Sequence, residues 1–473
     1  FWLKRLSRFF IVDAKSLMPE KEGTKYHRSG KWDPDFPFSP KRISFFYGWL
    51  IVAAGTLAVV FSIPGQTMGF SVFTDVLIKE LGLTRVQLST AYCIGTVISG
   101  LSLPFFGKLY DRLGARRMIV YSSFATGLVL LYLSQVKKIL VSLDGVLAIS
   151  STIIAFTVIT LGFFMIRASA QGVLTMTGRN AIGKWFDHHR GKAFALSGVV
   201  TAFSFSYAPR ALKWMSDQYG WSGAWALLGI LTISVMAGLG WLLFRDNPEE
   251  CGLLMDGKRS EVKLKKMHKD AIAHTDYRLS KSLKTWPFWA FNFSFTFISL
   301  YTTAVTFHII SIGSTHGRDA LEVIGYFVPM AFVSVTSNIL MGLISSRTRL
   351  KYLLAIMNAA IFFSVIGVIY LDTKSGVLLY IIGNGIAGGG FACLSGIVWP
   401  RFFGRKWLGS ISGVGMSSMV IGSGIGPLLF GAFFATTENY LSVLWLCSII
   451  PALLFFGCAW ADNPQSKNKA NQF

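Results

Sequence analysis

The sequence predicts an all-α membrane protein: twelve transmembrane helices in two pseudo-symmetric six-helix bundles. Three observations carry that expectation. Twelve apolar runs are long enough to cross about 30 Å of hydrocarbon. Lys and Arg collect at alternate connections between those runs, and the second set of six runs repeats motifs of the first.

The runs fall at 46–71, 88–110, 117–136, 152–179, 192–214 and 222–244, and then at 287–312, 322–345, 351–371, 376–401, 408–434 and 440–461. A chain that is 52% hydrophobic and 14% charged, with 40 Phe and 14 Trp among 473 residues, has too much apolar surface for a soluble protein. Its 47 Gly suit close helix approach in lipid, where small residues take the place of a hydrophobic driving force. A net charge of +22 would suggest nucleic acid in a soluble chain. Here placement decides: with the N-terminus inside, 36 of the 45 Lys and Arg fall in cytoplasmic segments and 8 in external loops, and Arg167 is left within a span. By the positive-inside rule both termini are expected in the cytoplasm. The expected partners are a small-molecule substrate and membrane lipid, not nucleic acid, with the chain acting as a monomer. Five cysteines show no metal or redox spacing, and four of them lie in apolar runs as small packing residues. No cofactor is implied.

In chain order, residues 1–45 form an N-terminal tail. Trp2, Leu6, Phe9 and Phe10 alternate with Lys4, Arg5 and Arg8, so the first twelve residues read either as a helix lying on the inner leaflet or as a disordered basic tail. Residues 19–42, rich in Pro and mixed charge, read as a tether. The first bundle occupies 46–245. Its first span carries Gln66 beside Pro64 and Gly65, where a helix bends. The stretch 139–182 is longer than one span needs, which leaves open an overlong fourth helix or an external re-entrant piece at 139–150. Arg245, Asp246, Asn247 and Pro248 stop the sixth helix. Residues 246–286 form a polar cytoplasmic linker, 287–461 the second bundle and 462–473 a short tail. Ile182, Arg190, Ser197, Gly198 and Val199 recur 215 residues later as Ile397, Arg405, Ser412, Gly413 and Val414. Asp246, Asn247 and Pro248 recur as Asp462, Asn463 and Pro464. Parallel six-helix repeats are an architecture in which a central site opens alternately to each side.

Between the second and third spans lies a tight basic loop with Gly107, Asp111, Arg112, Gly114, Arg116 and Arg117. This pattern, with the twelve-run layout and the repeat, resembles the major facilitator superfamily of secondary transporters over roughly residues 44–464. Trp185 to Ala193, Arg245 to Gly257 and Phe403 to Gly409 are similar to the branch that holds oxalate:formate antiporters and monocarboxylate transporters. The resemblance implies a gating role for Gly107, Asp111, Arg112, Gly114, Arg117 and Arg190. It also implies that Asp111 approaches the start of helix 11 near Gly409 and Ser410, whose free N–H groups and positive dipole end attract a carboxylate. Two features depart from the branch. No Lys or Arg falls in 324–345 or 408–461, where anion carriers of that kind bear a cation, and Ser346 stands where a second-half Asp would match Asp111.

Arg167 is the first candidate for substrate contact, because an ionised side chain within a span costs at least about 2.5 kcal/mol and must face a wet cavity or a partner. Gln171 continues the same helix face. The alternative is a tie between helices. No Asp or Glu lies in the body of any span, so an unbalanced Arg167 favours an anionic solute and disfavours a cationic one. The same absence removes the usual buried proton carrier. Tyr301, Tyr92, Gln66 and Asn384 are further cavity candidates by helix and polarity. His308 titrates near neutral pH if it is exposed, but at the outer end of its helix it reads as interfacial. The expected activity is transport of a small organic anion, such as a carboxylate, by exchange or facilitated diffusion. An efflux carrier for amphipathic compounds and a non-transporting sensor on the same fold are the rivals. The expected location is a bacterial inner membrane.

Overall fold

In the computed structural model, residues 30–144, 150–257 and 275–466 are described, and every element among them is helical. Residues 1–12, with their alternating aromatic and basic pattern, lie outside the described residues, as does 258–274 of the linker. The main helices are α1 (Gly48–Phe61), α2 (Arg85–Leu113), α3 (Ala115–Ser134) and α4 (Ser151–Trp185), then α5 and α6, which together form Arg190–Leu243. After the linker come α7 (Trp286–Thr315), α8 (Ala320–Ile344), α9 (Leu350–Ile369), α10 (Lys374–Phe403), α11 (Leu408–Thr437) and α12 (Leu441–Trp460).

Among the described residues, ten helices are long and apolar enough to cross a membrane, counting Arg190–Leu243 as one and leaving out the shorter α1. That long helix divides at Gly220, whose φ of 69° and ψ of 164° are open to a residue without a Cβ. The chain turns back there. Beyond Gly220, Ser222 bonds the carbonyl of Ser134, Gly229 packs on Gly127 and Gly240 on Ile119, so α6 runs antiparallel to α3. It ends beside the end of α4, where the Trp185 indole donates to the carbonyl of Arg245. All twelve apolar runs are thus helical. The end that carries Asp111, Trp185, Arg245 and Arg405 is called the basic end below, and the opposite one the far end.

The fourth helix is overlong, one of the two alternatives for 139–182: α4 continues to Trp185, past the end of the 152–179 run, so Arg179 lies inside it. A separate nine-residue helix, Val136–Asp144, precedes it, and 145–149 are outside the described residues. Residues 30–42 are not a loose tether, because two buried arginines hold this stretch as a strap across the basic end of the first half. Arg116 donates to the carbonyls of Asp33 (2.8 Å), Phe36 (2.7 Å) and Trp241 (2.8 Å). Arg245 donates to those of Pro34, Phe36 and Phe38. Arg117 and Trp32 add a cation–π contact at 5.4 Å. Bonds from charged donors contribute about 1.5–3 kcal/mol each, so the strap is an integral part of the first half.

The apolar core shows how the halves meet. One cluster runs from the basic end of the first half, through Tyr47, Leu103, Tyr110 and Trp185, into the whole second half. A separate cluster, with Phe73, Phe163, Leu212 and Trp225, fills the far end of the first half alone. The halves therefore share a core at the basic end and part toward the far end. Helix α2 packs on α11 and α5 on α8 across this division.

Candidate functional site

Arg167 opens an eight-residue π-helical segment, Arg167–Leu174, inside α4. Such widened turns are uncommon and frequently mark functional sites. Opposite it, α1 breaks at Ile63–Gly65, where proline interrupts the helix and leaves carbonyls without an intrahelical partner. The Arg167 guanidinium serves one of them, donating from Nη1 to the carbonyl of Gly65 at 3.2 Å and to Thr67 Oγ1 at 3.5 Å. Nη2 donates to Ser423 Oγ on α11 at 3.1 Å, across the two halves. Ser423 sits four residues before Pro427, in a turn of α11 that the proline deprives of one N–H. Tyr92 lies under the guanidinium with its ring centre at 5.1 Å and donates its hydroxyl to Thr67 Oγ1 at 2.9 Å.

The guanidinium is 1% exposed, every partner is neutral, and its Nε and the neighbouring Gln171 Oε1 are buried without a partner. Arg167, Gln171 and Tyr92 are thus brought together, with Gln66 at the edge of the same break, donating to Ser62 Oγ at 3.1 Å. In this conformation Arg167 ties α1, α2 and α11 to α4. The other cavity candidates sit elsewhere. Tyr301 is fully buried, with its hydroxyl 3.2 Å from Ser364 Oγ on α9 and its ring stacked on Phe297, a contact within the second half. Asn384 donates to Met330 Sδ on α8. His308 is held by the carbonyl of Pro427 at 3.0 Å and the Tyr440 hydroxyl at 3.3 Å, in packing between α7, α11 and the start of α12.

At the basic end, Asp111 accepts from the backbone N–H groups of Gly409 and Ser410, each at 2.7 Å, and from Ser410 Oγ at 2.5 Å. A carboxylate at the start of α11 satisfies donors the helix leaves open and meets its positive dipole end. Gly107 lets α2 come this close, since a Cβ there would lie 2.3 Å from the carbonyl of Gly409. Gly114, at φ +85°, turns the chain so that Asp246 can accept from Arg116 N at 2.8 Å and cap α3. Arg117 stacks on Trp32, as above, while Arg112 is exposed. Arg190 is buried, donating to the carbonyl of Gly183 at 3.3 Å and pairing with Asp187 at 3.5 Å.

Several residues of this end were not singled out from sequence. Arg179 bonds the carbonyl of Ala392 (2.8 Å) and Ser395 Oγ (2.7 Å) on α10. Asn180 bonds Ser412 Oγ on α11 (2.8 Å), and Asn338 on α8 bonds the carbonyl of Ala195 on α5 (3.0 Å). Asp256 accepts from the backbone N–H groups of 187, 188 and 189. Burial alone would raise its carboxyl, but these bonds and the His189 side chain outweigh burial and hold it below the ordinary carboxylate range. Asp276 accepts from the backbone N–H groups of Arg405 and Lys406 at the equivalent turn of the second half. Polarity alone would not have found these, because their partners, backbone groups and serine hydroxyls, are distant in sequence. Among the described residues, no hydrogen bond or ion pair joins the two halves on the far side of Arg167–Ser423 and the Cys93–Gly424 contact. The arrangement is closed at the basic end and held there by polar contacts between the halves.

The sequence matches the profile of the Major Facilitator Superfamily over residues 56–414. It is 26% identical over 196 residues to Monocarboxylate transporter 13 of Rattus norvegicus, a stretch that covers 40% of this chain and 40% of the rat protein, less than two thirds of its length. Identity to Monocarboxylate transporter 13 of Bos taurus is 21%, over 83% of this chain and 84% of the bovine one. The fold is similar to that of a bacterial homologue of the iron transporter ferroportin in its outward-facing state, with a TM-score of 0.62 at 15% identity, covering 86% of this chain and 98% of that one.

Proposed function

The chain belongs to the major facilitator superfamily, and from that premise we propose that it is a secondary carrier moving a small organic anion, a carboxylate above all, by alternating access. One observation supports the substrate class most: Arg167 is a fully enclosed guanidinium whose partners are all neutral. Burying a cation without a counter-charge costs several kcal/mol. An anion that takes the place of Ser423 supplies that counter-charge and at the same time breaks a bond between the halves. Binding and opening are then one event. The names of the mammalian relatives agree with a monocarboxylate.

The basic end faces the cytoplasm, by the bias of Lys and Arg, so the closed gate is the inner one. Exchange or facilitated diffusion is the mode favoured by spans without a buried acid. The test is uptake of radiolabelled carboxylates into proteoliposomes, with Arg167→Gln compared to the unaltered chain. Loss of a charge-assisted contact of about 2–3 kcal/mol lowers kcat/KM roughly 50-fold, while the thermal unfolding midpoint in detergent holds. Unchanged uptake kinetics in that variant would refute the anion reading.

A further inference from the structure

Arg179 is a second cation facing the other half from α4, half-buried against α10, and among the described residues neither it nor Arg167 has a carboxylate partner. Twelve steps separate the two. In an uninterrupted α-helix that is about three and a third turns, which would point the side chains roughly a third of a turn apart. The π segment Arg167–Leu174 takes an extra residue into its turn. The same twelve steps then cover about the rotation of eleven, close to three full turns. The contacts agree with that register: both guanidiniums reach across to the second half, one to Ser423 on α11 and the other to Ala392 and Ser395 on α10.

We propose that α4 carries two carboxylate stations on one face, Arg167 and Arg179, aligned by the π segment, and that the anion leaves the first for the second as the basic end opens. This rests on the anion-carrier reading above. Opening that end separates α4 from α10 and removes both oxygens that now satisfy Arg179. An uncovered guanidinium on the parting face takes up an anion in their place. The stations lie about 16 Å apart along the axis, too far for one small carboxylate to bridge, so occupancy passes from one to the other.

The test uses the full chain in proteoliposomes, with its five cysteines replaced by alanine, Ser395→Cys as reporter and Asp111→Asn to release the basic end. Rates of modification are measured with an anionic thiol reagent, sulfonatoethyl methanethiosulfonate, and with its trimethylammonium counterpart. An uncovered Arg179 should favour the anionic reagent about tenfold, and millimolar acetate should slow the reaction. Arg179→Gln should bring the rate ratio to near one and abolish the acetate effect, while Arg179→Lys, a safeguard against misfolding, should keep both. Equal rates with Arg179 present, or acetate protection that survives Arg179→Gln, would overturn the second station. If Arg179-dependent protection holds while Arg167→Gln leaves uptake intact, the reading of Arg167 fails and the second station stands.

Discussion

Two seams join the halves at the basic end, and they are built alike up to one residue. In the α2–α11 seam, Gly107 and Gly409 meet so closely that a Cβ on either would come within 2.4 Å of the other's carbonyl. In the α5–α8 seam Gly191 and Gly342 meet the same way, at 2.0 and 2.6 Å. Gly107 and Gly342 open corresponding loops of the two halves, but the polar residue four positions on is Asp111 in one seam and Ser346 in the other. Asp111 crosses to three donors at the start of α11. On the other side Ser345 turns back to the carbonyl of Gly342 within its own helix, and the Asn338 amide crosses, to Ala195. Shape complementarity is therefore shared, while the charged latch belongs to one side. A rocking motion in this molecule has a fastened edge and a plain one.

The largest effect should come from breaking what the seams share. Gly107→Ala and Gly191→Ala each drive a methyl into a backbone carbonyl, at a cost of about 1–3 kcal/mol to the closed state. Both should shift the gate toward open at the basic end by tenfold or more, read as cysteine accessibility there, and a large effect in one seam only would break the equivalence. Next comes the difference between them. Asp111→Asn removes a charge from three hydrogen bonds and should lower turnover about tenfold with a smaller change in KM, whereas Ser346→Ala should stay within about 0.5 kcal/mol of the parent. Equal losses would show that Asp111 acts as a topology signal and not as a latch. The smallest effect concerns the turn that feeds the plain seam. The Asp256 carboxyl lies below its ordinary value in the folded chain, so it contributes stability that is fully present above about pH 4, its unfolded value, and is lost as pH falls through the folded value. Asp256→Asn should therefore lower the unfolding midpoint at neutral pH and make no difference in strong acid, and a deficit that persists unchanged at acid pH would assign it to packing.

Spans were legible because a run of twenty apolar residues has few alternatives to a helix that crosses lipid. The reversal at Gly220 falls in a short polar break of the apolar pattern, so α5 and α6 were separable in advance. Asp111 was legible by resemblance, since its motif is compact. The π segment was not, because nothing local in residues 167–174 distinguishes a widened turn from an ordinary one. Arg116 and Arg245 were visible as charges, but their partners are carbonyls of a Pro-rich stretch that composition alone reads as slack. Tyr301 shows the reverse: an aromatic hydroxyl in a span suggests a cavity, and its Ser364 partner inside the same half is not legible from sequence. Arg179 was visible as the charge that closes the 152–179 run, but α4 continues past it to Trp185, whose indole donates to the distant carbonyl of Arg245.

The strap has a mechanical consequence. Its anchors, Arg116 and Arg245, grip the same half they belong to, and Gln465 does likewise for the second, bonding the carbonyls of Thr275 and Phe402. None of these long-range clasps has to let go when the halves tilt. Each shell stays stiff through the cycle, and the work of motion is confined to a few facing side chains.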